Sequence, residues 1–227
     1  MPLTHAKLFS SFVFYHLQDS FRKLPQNAQM TQKAEFEDIL DRQQERSFIR
    51  TYMTAGLDAT ADILLWRMDS SILKMQEMSA SLAKTGFGKW LTPVHSYIGL
   101  LKFTVSDENI NMVKEANERF GHLPYMMIHP LEKNTAWHNL PDEEKKAMMN
   151  ERNKVLSKHS NLRETFFSSY GLDSQDYVVQ REASSATELE EATSELRLLK
   201  NKEYTLSDTP VYFCVGRSLP EILDFLA

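Results

Sequence analysis

Four landmarks recur in order along this 227-residue chain, and that repeat limits its fold more than any other feature. Ala55-Gly-Leu-Asp58 returns as Tyr170-Gly-Leu-Asp173. The apolar run Asp62-Ile-Leu-Leu-Trp66 returns as Asp176-Tyr-Val-Val179. Ser70-Ser71 returns as Ser184-Ser185, and Thr92-Pro93 as Thr209-Pro210. The spacing stays between 114 residues (62 to 176) and 117 (92 to 209). Chance seldom keeps four landmarks in register, so the chain reads as a duplication.

Each copy reads strand, helix, strand, strand, helix, strand. In the first, Leu8 to Leu17 is a strand and Lys33 to Arg46 a helix with Phe36, Ile39 and Leu40 on one side. Phe48 to Thr54 and Asp62 to Met68 pair around Gly56, Ser71 to Lys84 is amphipathic, and His95 to Val105 closes the copy. In the second, Tyr125 to Leu131 is a strand and Pro141 to Ser157 a helix with acids at its positive end. Leu162 to Tyr170 and Asp176 to Arg181 pair around Gly171, and Ser185-Ala-Thr-Glu188 is a capping box. Val211 to Val215 is the last strand, and a short helix follows Ser218. This βαββαβ order is the ferredoxin-like motif. The expected fold is α+β: two ferredoxin-like halves, each sheet open on one face, packed together as an α+β barrel. Residues 1–106 form the first half, 107–121 a connector, and 122–227 the second half, which carries the pocket.

Net charge is −5, with no basic stripe, which argues against nonspecific nucleic-acid binding. The single cysteine, Cys214, permits no intrachain disulfide and sits in an apolar run, as a buried thiol does. No run approaches the roughly 20 apolar residues of a membrane span, and no signal-peptide pattern opens the chain. A cytoplasmic location is expected.

The motifs Thr54-Ala-Gly-Leu-Asp-Ala-Thr-Ala-Asp-Ile-Leu-Leu-Trp66 and Gly86-Phe-Gly-Lys-Trp-Leu-Thr-Pro93 resemble signatures of the chlorite dismutase and coproheme decarboxylase family. So do His129-Pro-Leu-Glu-Lys133 with Trp137, Leu140-Pro141 with Met148-Met149, and the tail Leu219-Pro-Glu-Ile-Leu-Asp-Phe-Leu226. The resemblance covers nearly the whole chain. It implies haem or coproheme in the second half, homopentamers or smaller rings, and either chlorite decomposition or peroxide-driven decarboxylation of coproheme.

The same resemblance places the iron-ligating histidine at Arg152. Iron needs a lone pair, and arginine has only donors. The acid that braces the ligand falls at Lys200, with Glu203 near. The distal arginine or glutamine falls at Glu164, and the radical-forming tyrosine at His129, four residues before Lys133. Cofactor-binding candidates are Arg152, Lys200, Trp137 and His159. Catalytic candidates are Glu164, Lys133 and His129. Each has a plainer reading: Arg152 paired with an acid, His159 at a helix end, Trp137 in the core. His129 with Glu164 makes only two ligands without a spacing motif, so no metal site is assigned. Two readings stay open. In one, haem ligation is lost, no cofactor is needed, and the fold serves as a small-molecule-binding or structural homo-oligomer, most simply a pentamer. In the other, the chain is a haem- or coproheme-dependent oxidoreductase with a displaced iron ligand. The first reading expects a narrowed pocket, with Arg152 bound to a carboxylate such as Glu164.

Overall fold

The computed structural model describes residues 4–105 and 111–226. The chain divides into two compact units, Met1–His122 with Val215–Ala227, and Leu123–Cys214.

The first unit holds β1 (Thr4–Leu17), α1 (Gln26–Gln44), β2 (Phe48–Met53), β3 (Ile63–Asp69), α2 (Ile72–Lys84), β4 (Leu91–Val105) and α3 (Met112–Arg119). Its ladders are antiparallel, in the order β4-β1-β3-β2. The helix α1 starts seven residues before its apolar stripe would place it, because its first turns are polar and exposed and only Phe36 and Leu40 are buried. Of the connector, Asn111 caps α3 by accepting from Val113 and Lys114 N–H groups; residues 107–110 lie outside the described residues. The second unit holds β5 (Tyr125–Lys133), α4 (Thr135–His138), α5 (Asp142–Leu156), β6 (Leu162–Ser168), β7 (Tyr177–Ala183), α6 (Ala186–Arg197), the three-residue β8 (Thr205–Ser207) and most of β9 (Tyr212–Gly216). Its strands pair β6-β7-β5-β8, again antiparallel. The last helix, α7 (Leu219–Leu226), buries Leu219, Ile222, Leu223 and Leu226 in the core of the first unit, against residues such as Phe21, Phe36 and Leu40.

The duplication is visible atom by atom. Gly56 and Gly171 both take positive φ in the repeated turn, which a side chain would strain. Asp62 accepts the Leu17 N–H at 2.8 Å, and Asp176 the Lys133 N–H at 2.6 Å. Ser71 caps α2 through Lys74 N–H, and Ser185 caps α6 through Glu188 N–H. Arg67 donates to Ser79 Oγ, and Arg181 to Thr193 Oγ1.

The barrel expectation is corrected. The described strands belong to an open antiparallel sheet whose order ends on the short β8; it is not closed into a barrel. Closure requires every edge to find a partner at a consistent stagger. Residue alternation specifies which face a strand buries and is silent about its edges. No described helix is long and apolar enough to cross a membrane.

Candidate functional site

The second unit contains a cleft of about 450 Å³. Strand alternation builds one wall. On β5, His129, Leu131 and Lys133 project into it; on β7, Tyr177, Val179 and Arg181 do. Helical spacing builds the opposite side, with Met149 and Arg152 three apart on α5 and Thr193 and Arg197 four apart on α6. The segment after α6 adds Asn201, Lys202, Thr205 and Asp208.

At its inner end lies a buried charge cluster. Arg152 grips Glu164 with two parallel bonds, one of them Nε to Oε1 at 2.5 Å. Arg181 Nε donates to Glu164 Oε2 at 2.6 Å. The three side chains are 7%, 3% and 6% exposed. Burial alone would raise the Glu164 pKa, but the bonds and charges of Arg152 and Arg181 overcome it and hold the carboxyl below its ordinary value. Burial also lowers the Arg181 pKa, opposed by Glu164. The cluster keeps one net positive charge, and the Arg152 guanidinium carbon also stands 5.2 Å from the Phe166 ring centre. The expected Arg152–Glu164 pair is thus present, yet the cleft beside it stays open.

His129 is 6% exposed, and its Nδ1 is enclosed with no hydrogen-bond partner. Burial, and then the charge of Arg181, push its pKa down to about 3, so the ring is neutral at ordinary pH. Lys133 Nζ lies 4.5 Å over the Trp137 ring and bonds to Thr205 Oγ1 and the Asn201 carbonyl. Burial, then Arg152, bring its pKa down to about 8, which leaves it mainly protonated at neutral pH.

The cleft therefore brings together Arg152, His129, Lys133 and Trp137, with Glu164 behind Arg152. It does not include Lys200, which is exposed at the start of a short 3-10 turn. Nor does it include His159, at the end of α5, whose Nε2 is 3.3 Å from Glu195 Oε1 without hydrogen-bond geometry. Sequence reasoning missed Arg181, Arg197, Lys202 and Asp208. A signal existed for one of them: Arg181 stands 114 residues after Arg67 (67 to 181), in register with the repeat. Among the described residues no three His, Cys, Asp or Glu side chains group as a metal site.

Residues 29–217 match the family model described as chlorite dismutase. Coproheme decarboxylase of Mycolicibacterium smegmatis is 23% identical over 162 residues, 71% of this chain and 69% of that protein. Chlorite dismutase from Candidatus Nitrospira defluvii superposes with a TM-score of 0.84 at 18% identity, covering 96% of this chain and 94% of that one. A heme-binding protein from Thermus thermophilus superposes with a TM-score of 0.84 at 17% identity, covering 99% and 97%. The expectation that no cofactor is needed is corrected by these likenesses: the fold is shared with a heme-binding protein, and the Arg152–Glu164 pair does not fill the cleft.

Proposed function

The chain belongs to the chlorite dismutase family, and from that premise we propose that it binds an iron tetrapyrrole, haem or coproheme, in the cleft of the second unit. It acts there as an oxidoreductase whose iron ligand is displaced from position 152. The observation that carries this reading is the cleft itself. Its volume of about 450 Å³ falls within the roughly 300–1,000 Å³ of small-molecule sites. Leu131, Phe166, Val179 and Leu196 offer apolar walls to a flat macrocycle, and Lys133, Arg197 and Lys202 offer cations to its carboxylates. Among the described residues one carboxylate, Asp208, lines the same space, and Lys202 holds it at 2.6 Å. A bound iron centre would supply the redox chemistry. The protein supplies apolar walls to pack a macrocycle and cations to orient its acidic groups.

Arg152 has no lone pair to give and both ends of its guanidinium edge are committed to Glu164. This separates the chain from members that ligate iron at that position. Glu164 at the distal position, with its charge neutralised by two arginines, offers no cation of its own to a small anion such as chlorite.

Titrating the purified protein with ferric haem and ferric coproporphyrin tests the proposal. A saturable one-to-one complex with a shifted Soret band is expected. No spectral change up to tens of micromolar pigment would return the structural reading to first place. We further infer a cytoplasmic protein that self-associates as a ring, supported by the buried free thiol and by exposed apolar side chains such as Tyr170, Leu198 and Leu206. Light scattering is expected to give a multiple of the 26.3 kDa chain mass, and a monomer at micromolar concentration refutes it.

A further inference from the structure

Iron in a tetrapyrrole takes its axial ligand from His, Cys, Met or Tyr. The lone cysteine, Cys214, does not line the cleft. Among the described residues, four side chains that do line it carry a suitable atom: His129, His138, Met149 and Tyr177. Burial, and then the charge of Asp176, raise the Tyr177 pKa, so it is a neutral phenol. His138 is 42% exposed, its Nε2 is 3.5 Å from Asp176 Oδ1, and its ring rests against that of Tyr170. It belongs to the rim. Met149 offers a thioether from α5.

His129 differs from all of these. It sits mid-strand on β5, paired with Val179 of β7, so its backbone is held by the sheet. Its ring lines the cleft, and among the described residues neither ring nitrogen has a hydrogen-bond partner. A buried polar group left in that state costs about 1–3 kcal/mol unless something else satisfies it. Apolar neighbours Leu131 and Val179 would pack a phenylalanine at this position without that cost. A neutral imidazole is also the form that binds metals.

We propose that His129 is the axial nitrogen donor to the iron of a tetrapyrrole bound in this cleft. The assignment rests on the reading of the cleft given above. Metal-bound imidazoles usually donate their second N–H to a carboxylate or carbonyl, which strengthens them as donors. His129 lacks such a partner, so its bond to iron is weaker than that of a braced ring.

The test compares ferric coproporphyrin with metal-free coproporphyrin on wild-type protein and on His129→Ala, His138→Ala and Met149→Leu. Affinity is followed by absorbance and fluorescence, and ligation by electron paramagnetic resonance and resonance Raman spectra. Wild type is expected to bind the iron form on the order of tenfold or more tightly than the metal-free form, with an imidazole signature. In His129→Ala that difference and that signature are lost, and free imidazole restores the signature. His138→Ala and Met149→Leu keep both. If wild type binds the two pigments equally, or if His129→Ala retains the imidazole signature, the assignment of His129 is overturned while the cleft stands as a tetrapyrrole site. If wild type binds neither pigment, the reading of the cleft falls, and the assignment with it. Should the alanine variant fold poorly, His129→Phe takes its place, because Leu131 and Val179 would pack the ring, and the same loss of preference and signature is expected.

Discussion

Glu164→Ala is expected to lower the unfolding free energy of the ligand-free protein by roughly 3–5 kcal/mol. The substitution strands two buried guanidinium groups, Arg152 and Arg181, whose shared counter-charge is Glu164. A buried charge without its partner retains its full desolvation cost. The loss should exceed that of Arg152→Ala, because there Glu164 keeps its 2.6 Å bond from Arg181. Replacing all three by apolar residues of similar volume should be near neutral, since the pairs gain little beyond what their burial costs. Urea or guanidinium unfolding of the three variants checks the ordering. A Glu164→Ala loss under about 1 kcal/mol, of the size seen for exposed ion pairs, would mean that water reaches the cluster.

The ligand-free protein is also expected to be acid-labile in a window set by His129. The ring titrates near 6.5 when exposed and near 3 when folded. Between those values the unfolded chain binds a proton that the folded chain refuses. Stability therefore rises with pH across the window and is lost as pH falls through it, by roughly 5 kcal/mol in total. Burial of the ring enforces this first; of the charged groups around it, Arg181 on β7, Arg152 on α5 and Arg197 on α6 oppose the proton, and Asp208 favours it. Glu164 adds to the loss at the acid end, because its carboxylate is held below the ordinary value of 4.5 and must finally be protonated. His129→Gln should flatten the dependence between pH 6.5 and 4. Parallel slopes for wild type and variant in that range would show that the folded ring accepts a proton freely.

Much of the fold could be read from the sequence because duplication supplies two independent copies of each signal. The capping serines, the Gly-Leu-Asp turns and the amphipathic stripes of α2 and α5 each appear where residue chemistry demands them. The lengths of β1 and α1 could not be read, since their outer turns carry no apolar pattern. Edge pairing could not be read either, because side-chain alternation does not encode it. At the site, the Arg152–Glu164 pair was legible from the resemblance, two displaced charges falling where a ligand and a distal donor are expected. Arg181, Arg197, Lys202 and Asp208 were not, because they come from α6, β7 and the loop after α6, and only tertiary folding gathers them around one cavity.

The paired arginines carry a consequence of their own. Arg67 and Arg181 make the same hydroxyl contact in the two units, and Arg67 is 2% exposed with its Nε unsatisfied among the described residues. An arginine kept in both copies belongs to the scaffold; the acid that meets it in only one copy belongs to the specialisation of that copy. The first unit is thus an internal control carried in every molecule. Arg67→Met reports what the shared strand-to-helix contact contributes, and Arg181→Met reports that contact plus the cluster, so the difference between the two isolates the energy committed to the specialised copy.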